Sequence, residues 1–151
     1  VECLRRNFKR EIATGQMILA PVGVWNKEGK LSLHVDENSA GHSLVLHPED
    51  KTVEVPVVRI DRLVADLNLA KVDCIKMDIE GAERQALEGA FDTLRKHKPR
   101  LMLSAYHLPD DKIVLPRLVR TAVSSYRLTY GPCAQPSSDM QELAAHIIYF
   151  R

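Results

Sequence analysis

Residues 72–90 of the chain read VDCIKMDIEGAERQALEGA, and this stretch decides the fold. Its first part has the apolar character of a buried strand, and its second part has the periodicity of a helix. Three charged residues, Lys76, Asp78 and Glu80, nevertheless occupy alternate positions of the strand-like part. Because successive side chains of a strand face opposite ways, we predict that these three project together while the apolar residues between them pack behind.

The position of these charges in the chain suggests a ligand-binding crevice. An unpaired charge is costly to bury, whereas the carboxyl ends of strands in open α/β sheets border a crevice where ligands bind. Asp78 and Glu80 lie at that end of the predicted strand, and Gly81 gives a turn that allows close approach of a ligand. Tyr106 and His107 end the next predicted strand, at the same rim if the two strands are parallel. The sequence therefore predicts a pocket with two carboxylates, an imidazole and a phenol.

The same charged residues also have purely structural interpretations. Asp78 is able to cap the following helix, with Glu80 or Glu83 completing the cap, and Lys76 is able to pair with Asp78. We favour the functional interpretation for Asp78 and Glu80 together, since one cap does not need two acids, and the structural one for Lys76 and Glu83. The other histidines have no metal-ligand spacing, and we expect them on surfaces or turns and predict no metal site. They are His34, His42, His47, His97 and His146.

Outward from this stretch, the carboxyl half of the chain alternates between strand and helix patterns. Strands are predicted at 72–79, 99–107, 126–130 and 143–151, and helices at 81–98 and 111–125. Such alternation is typical of a parallel sheet flanked by helices. The last two strands are joined by a loop only, so we expect them to be antiparallel neighbours. The predicted fold is an α/β domain whose sheet is mostly parallel, with one antiparallel strand near the edge.

The amino half predicts smaller elements. They are a helix from Val1 to a stop at Gly15, a buried strand ending near Gly23, a turn at Glu28-Gly29 followed by a strand over 31–35, strands at 43–47 and 52–60, and a helix at 59–69. Pro56 lacks an N–H group, which favours an edge position or a bulge for its strand. With 151 residues, the chain is long enough for one domain with a sizeable core and too short for two. We therefore predict a single domain, 1–151.

Composition argues against several kinds of partner. The hydrophobic content of 45% and charged content of 27% are those of a globular protein, and a net charge of +1 gives no attraction to nucleic acid or anionic membranes. No apolar run approaches the ~20 residues of a membrane span. Cys3, Cys74 and Cys133 are scattered, which favours reduced thiols in a cytoplasmic protein. Glycine-rich nucleotide-binding motifs, HExxH and GxSxG are absent from the sequence.

Residues 72–90 resemble the signature segment of the FkbM-type methyltransferases. The positions that carry the resemblance are Lys76, Asp78, Glu80, Gly81, Glu83, Gly89 and Ala90. The flanking stretches 53–73 and 98–111 are similar to the corresponding family segments, and 19–33 to a segment that borders the cofactor. The similarity covers most of the chain from about residue 4 onward.

The resemblance implies an S-adenosylmethionine-dependent O-methyltransferase with the Rossmann-like class I methyltransferase sheet. Family members commonly act on hydroxyls of sugars or secondary metabolites, so a small-molecule acceptor is implied. Asp78 and Glu80 would then lie beside the methyl donor and the acceptor, with Tyr106 also near the acceptor. His107 would be the general base, since imidazole exchanges protons near neutral pH.

The resemblance also implies where the cofactor lies. Val22, Gly23 and Trp25 would be neighbours of the adenine, and Asp78 would contact the methionine end. Family members ordinarily begin with a strand and a glycine-rich turn that hold the cofactor, followed by a second strand ending in an acid. This chain begins instead in a segment similar to the helix after that second strand, so Glu2 is not expected to be the ribose acid. We therefore expect these 151 residues alone to bind S-adenosylmethionine weakly.

Two other functions compete with methyl transfer. One is a non-catalytic α/β module that keeps the scaffold for binding or assembly, which the missing glycine-rich turn favours. The other is a metal-dependent hydrolase using the two acids and His107, which the lack of a dense His/Asp cluster in the sequence disfavours. The retained Asp78, Glu80 and His107 favour the methyltransferase, and a chelator is expected to leave its activity unchanged.

Overall fold

The computed structural model describes residues 1–35, 42–46, 51–131, 133–134 and 144–151. The helices are α1 (Glu2–Asn7), α2 (Lys9–Ala13), α3 (Ile60–Asp66), α4 (Glu83–Glu88), α5 (Phe91–His97) and α6 (Asp111–Ala122). The strands are β1 (Gly23–Val24), β2 (Gly29–Val35), β3 (Lys51–Val58), β4 (Cys74–Met77), β5 (Arg100–Ser104), β6 (Leu128–Tyr130), β7 (Cys133–Ala134), β8 (Ala144–Ala145) and β9 (Ile147–Phe150). No helix within these ranges is both long and apolar enough to cross a membrane.

A four-stranded sheet in the order β4-β5-β9-β6 forms the centre of the carboxyl half. β4 and β5 are parallel, whereas β9 runs antiparallel to both of its neighbours, β5 and β6. Three strands thus share one direction, and the reversed strand lies next to the edge. The predicted α/β class and the antiparallel pairing of the last two strands are confirmed. Parallel β4 and β5 bring their carboxyl ends to the same rim of the sheet.

The core lies between this sheet and the helices α4, α5 and α6. Its fully or nearly fully buried side chains include Leu87, Leu94, Leu101, Leu103, Leu115, Val119, Ile148 and Phe150. Complete burial of one such side chain contributes about 1.5–3 kcal/mol, so this layer supplies much of the driving force for folding. Pro116 lies inside α6, which begins five residues before it and continues beyond it.

The predicted helix 81–98 is divided into α4 and α5 at Gly89 and Ala90, which the sequence pattern did not indicate. The division is stabilised by Asp61, from the start of α3. Its N–H donates to the Gly89 carbonyl (2.9 Å), and its carboxylate accepts bonds from the N–H groups of Asp92 (3.2 Å) and Thr93 (2.7 Å). The first turn of α5 is therefore capped by a residue about 30 positions away.

The amino half contains a second sheet in the order β1-β3-β2. β2 confirms the predicted strand through Leu31, Leu33 and Val35 and begins at Gly29, which was expected in a turn. The predicted strand before Gly23 is reduced to β1. The expectation of an edge position for Pro56 was wrong, because β3 is the middle strand. β1 pairs only with Val57 and Val58, so the missing N–H of Pro56 falls just outside that pairing.

Two other predicted elements of the amino half also differ. The predicted strand at 43–47 is not a strand over its described residues 43–46, which form an isolated bridge from Ser43 to His34 followed by a bend. His47 lies outside the described residues. The predicted amino-terminal helix is divided at Phe8, and Gly15 follows its end with a left-handed φ of 74°.

Tyr126 joins the end of α6 to the start of β5. Its buried hydroxyl donates a 2.5 Å hydrogen bond to the carbonyl of Pro99, and burial raises the pKa of the phenol from 10.0 to about 12. Tyrosine in an unfolded chain ionises near pH ~10. Between the two pKa values the unfolded state loses a proton that the folded state keeps, so the stabilising effect of Tyr126 is lost as the pH rises through that range.

We expect Tyr126→Phe to lower the free energy of unfolding at pH 7 by about 1 kcal/mol, because the Pro99 carbonyl loses its donor. The difference in the free energy of unfolding between the variant and the unmodified protein should shrink between pH 10 and 11. In that range ionisation of Tyr126 in the unfolded chain destabilises only the unmodified protein. Urea unfolding of both proteins at pH 7 and pH 11 measures this. An equal difference at the two pH values would contradict the assignment.

Candidate active site

Asp78, Glu80 and His107 meet at the rim where β4 and β5 end. Nε2 of His107 lies 3.5 Å from Oδ1 of Asp78 and 3.5 Å from Oε2 of Glu80. Tyr106 adds a hydrogen bond of 3.2 Å from its hydroxyl to Oδ1 of Asp78. The two carboxylates, the imidazole and the phenol singled out in the sequence are therefore neighbours. We call Asp78, Glu80 and His107 the rim cluster.

The route by which Glu80 reaches the cluster differs from the predicted one. The strand ends at Met77, so strict alternation does not extend to Glu80. Glu80 has a φ of 52° and Gly81 one of 91°, both in the left-handed region. For a non-glycine residue this conformation costs about 1–2 kcal/mol, and strained residues of this kind concentrate at functional sites. A turn, and not the pleat of a strand, thus directs Glu80 toward His107.

Ser43 holds this strained turn in place. Its buried hydroxyl donates a 2.5 Å hydrogen bond to the Glu80 carbonyl and accepts bonds from the N–H groups of Val45 (2.9 Å) and Leu46 (2.8 Å). Sequence reasoning missed Ser43, because nothing local links residue 43 to residue 80. The only available signal was a serine in a segment of apolar residues.

Glu83 is fully buried beneath the turn. Oε1 accepts a hydrogen bond from the Ile79 N–H (2.9 Å), and Oε2 accepts one from the Gly81 N–H (3.1 Å). Oε1 also lies 3.0 Å from Nδ1 of His107. The structural interpretation of Glu83 therefore describes it only in part, because it holds the turn and contacts the imidazole. The helix α4 itself has no side-chain cap, so Asp78 does not serve as its cap.

His107 is nearly inaccessible, with 3% of its side chain exposed, against 40% for Asp78 and 31% for Glu80. Both ring nitrogens are buried, and neither makes a hydrogen bond of good geometry to any residue that the structure describes. The 3.0 Å separation from Glu83 is thus a close contact whose direction is poor for a hydrogen bond. The imidazole therefore lies beneath the two carboxylates, and its nitrogens make no hydrogen bond to the described residues.

Arg84 fixes the segment that carries His107. Its guanidinium donates to the buried carboxylate of Asp111 (3.0 and 2.8 Å) and to that of Asp110 (2.5 Å). The Leu108 N–H donates to the other oxygen of Asp111 (2.8 Å). The hydrogen bond from Arg84 also lowers the pKa of Asp110. The loop between β5 and α6 is therefore tied to α4, directly after Glu83.

The Tyr106 ring lies between two imidazole rings. The Tyr106 ring lies 4.3 Å from the His107 ring and 5.2 Å from that of His146, measured between centroids. Loss of solvation, together with the negative charge of Asp78, raises the pKa of the Tyr106 phenol, which remains a donor. His146, which was expected on a surface or turn, is partly exposed between β8 and β9 and lies beside Tyr106, because β9 pairs with β5.

Lys76 forms the ion pair that the structural interpretation expected, with Nζ 3.8 Å from Oδ2 of Asp78. The lysine side chain is mostly exposed, and pairs of this kind contribute about 0–1 kcal/mol. This weak pair leaves Oδ1 of Asp78 directed toward Tyr106 and His107.

A pocket of about 390 Å³ opens beside the rim cluster and joins it to the amino-terminal sheet. Its lining residues are Val22, Gly23, Val24, Leu33, His42, Leu44, Asp78, Ile79, Glu80 and Ala82. Of the residues expected to lie near a cofactor, Val22, Gly23 and Asp78 line this pocket. Trp25 does not line this pocket. Its backbone N–H donates to the Val58 carbonyl, and its backbone carbonyl faces Gly89. The pocket has apolar walls and an acidic end.

A family model described as the methyltransferase FkbM domain matches residues 3–144. The chain belongs to the FkbM methyltransferase family. The resemblance of residues 72–90 to this family is thereby confirmed. A search of curated proteins gave no match.

A solved structure supports the fold of this FkbM-family chain. It is the crystal structure, at 2.20 Å resolution, of methyltransferase FkbM from Methylobacillus flagellatus KT, which is 24% identical to this chain with a TM-score of 0.64. The match covers 99% of this chain and 32% of that one. The chain thus spans about a third of the length of the protein it matches, and at this identity the likeness concerns the fold alone.

Proposed function

We propose that the protein is an S-adenosylmethionine-dependent O-methyltransferase acting on a hydroxyl group of a sugar or secondary metabolite. The observation that carries this proposal is the rim cluster at the acidic end of the 390 Å³ pocket. Family membership favours an enzyme over a non-catalytic module. The partner we propose is a small molecule and neither nucleic acid nor a membrane, and the exposed free thiols of Cys3 and Cys74 support a cytoplasmic location.

The pocket fits the chemistry of the proposed cofactor. Its volume lies in the usual range for small-molecule sites, about 300–1,000 Å³. Val22, Leu33 and Leu44 provide an apolar surface suited to a purine ring, and Asp78 and Glu80 provide negative charge suited to a cationic sulfonium and ammonium. When bound, S-adenosylmethionine supplies an electrophilic methyl group.

Each residue of the rim cluster has a different role toward the acceptor hydroxyl. Asp78 and Glu80 are the more exposed members, so their carboxylates accept the hydrogen bond of the incoming hydroxyl and orient its oxygen. His107 lies directly beneath them and takes the proton that the hydroxyl loses. Tyr106 holds Asp78 through its hydroxyl and presents its ring to the acceptor. These steps require a pocket that excludes water from the reacting oxygen.

Filling the pocket should weaken cofactor binding. We expect Val22→Trp to raise the dissociation constant for S-adenosylmethionine at least about 10-fold, because an indole would occupy space beside the apolar wall. Isothermal calorimetry on the protein expressed from its complete coding sequence measures this. Ile18→Trp is the matched control, since Ile18 is exposed and does not line this pocket. Equal affinity for both variants would argue against this pocket as the cofactor site.

Transfer of labelled methyl groups from S-adenosylmethionine to a panel of hydroxyl compounds tests the reaction itself. Transfer to a hydroxyl oxygen, located by mass spectrometry of the product, is the expected result. Transfer to nitrogen or carbon acceptors only would overturn the proposed O-methylation.

A further inference from the structure

The rim cluster has the composition and spacing of a metal site. One carboxylate oxygen each from Asp78 and Glu80 and one nitrogen of His107 all lie within 4.8 Å of one another. Two atoms bound to the same metal ion, with bonds of about 2.1 Å, are separated by about 3–4.2 Å. The two nitrogen–oxygen distances of 3.5 Å fall within this range. Small side-chain movements would bring all three atoms onto one ion.

The state of His107 is the independent observation that points to a ligand. A buried polar atom is ordinarily hydrogen-bonded, yet neither ring nitrogen has such a partner within the described part of the chain. Nε2 instead faces two carboxylates, which are acceptors only. In the tautomer that carries its proton on Nδ1, the Nε2 lone pair faces two negative groups, an unfavourable arrangement that a cation between them would relieve.

The charges around the cluster favour a cation. Asp78, Glu80 and the buried Glu83 bring three carboxylates close to one imidazole. The neighbouring Lys76 offsets this charge weakly, because its ammonium is exposed and approaches only Asp78, at 3.8 Å. Negative charge thus exceeds positive charge at a partly buried position, where a divalent ion is held more strongly than in water.

Glu83 supplies the outer contact that metal-binding histidines ordinarily have. Its Oε1 lies 3.0 Å from Nδ1 of His107 and is itself fixed by the Ile79 N–H. A small rotation of the ring would turn this contact into a hydrogen bond from Nδ1–H to the carboxylate, which would fix the tautomer that presents the Nε2 lone pair to a metal. Nε2 is the nitrogen that faces Asp78 and Glu80.

We propose that Asp78, Glu80 and His107 bind one divalent metal ion. Two carboxylates and one imidazole suit a first-row ion such as Mn²⁺ better than Mg²⁺, which prefers oxygen ligands, and three protein ligands leave positions of an octahedral ion open. As far as the role of the ion is concerned, the inference rests on the proposed function: the ion would bind the acceptor oxygen and ease loss of its proton. With Nε2 of His107 bound to the ion, the proton of the acceptor hydroxyl passes to the carboxylate oxygen of Glu80 that does not bind the ion, and not to His107 as it would without a metal. The proposal differs from the sequence-based expectation that no metal takes part.

Titration with Mn²⁺ alone, without cofactor or acceptor, tests the site. Electron paramagnetic resonance should show one bound ion per chain, and Asp78→Asn, Glu80→Gln and His107→Gln should each weaken binding at least 10-fold. The control is Asp73→Asn, whose side chain is 72% exposed and paired with Lys71 at the opposite end of β4. Circular dichroism establishes that each variant is folded. Binding that is absent at millimolar Mn²⁺, or that all variants retain equally, overturns the proposal.

The metal proposal and the methyltransferase proposal fail separately. If methyl transfer continued unchanged in the presence of a chelator and no Mn²⁺ bound, the metal site would be overturned and the proposed reaction would still be supported. Stoichiometric Mn²⁺ binding that depends on Asp78 and His107, without methyl transfer to any hydroxyl, would support the site and count against the reaction.

Discussion

Replacing Asp78 by asparagine is expected to lower kcat/KM for methyl transfer by about 10³-fold in the protein expressed from its complete coding sequence. The substitution keeps the size of the side chain and removes its charge at the point where Tyr106, His107 and the pocket meet. Loss of one group that positions or stabilises the reacting atoms costs about 10²–10³, and loss of proton transfer about 10²–10⁴. Steady-state kinetics with saturating cofactor measures the effect.

The fold should survive this substitution. Asp78 is 40% exposed, and its pair with Lys76 contributes less than about 1 kcal/mol to stability. The urea midpoint of Asp78→Asn should therefore stay close to that of the unmodified protein, as should that of the Asp73→Asn control. Turnover equal to that of the control would remove Asp78 from the mechanism. Loss of activity with loss of the unfolding transition would show instead that Asp78 is structural.

The sequence was sufficient to place the rim cluster because the decisive rule is local. Charges at the end of an apolar strand, with a polar pair at the end of the next one, meet at one rim once the strands are parallel. Asp78, Tyr106 and His107 follow this rule directly. Glu80 reaches the cluster by a left-handed turn instead, and no periodicity encodes that turn.

The features that the sequence did not predict depend on contacts between distant residues. Ser43 supports the turn at Glu80, Asp61 caps α5, and β9 brings His146 beside Tyr106. Each of these residues has an ordinary local context, in a loop, at a helix start or before a strand. The position of Pro56 was mispredicted for the same reason, since whether a strand is central depends on its partners.

The largest effect on stability is expected at Gly89, between α4 and α5. A Cβ atom there would lie 2.1 Å from the carbonyl oxygen of Trp25, 3.1 Å from its carbonyl carbon and 3.3 Å from Cα of Asn26. All three are backbone atoms, so a side-chain rotation cannot relieve the overlap. The φ of Gly89 is −75°, which alanine adopts without strain. The absence of a side chain, and not conformational freedom, is therefore what this position requires.

Two opposing effects decide the outcome of Gly89→Ala. Alanine favours helix over glycine by about 1 kcal/mol, which would tend to join α4 to α5 and stabilise the protein. Overpacking against backbone costs about 1–3 kcal/mol and occasionally more, and a 2.1 Å approach belongs at the upper end. We therefore expect a net loss of about 2 kcal/mol or more in the free energy of unfolding, measured by urea denaturation.

The control is Gly15→Ala. A Cβ there meets nothing within 4 Å, so this substitution should cost about 1 kcal/mol through its left-handed φ alone. A Gly89→Ala protein as stable as the unmodified one would show that helix propensity outweighs the contact. Because Trp25 follows the pocket residues Val22 and Gly23 in the chain, the same variant should also weaken cofactor binding.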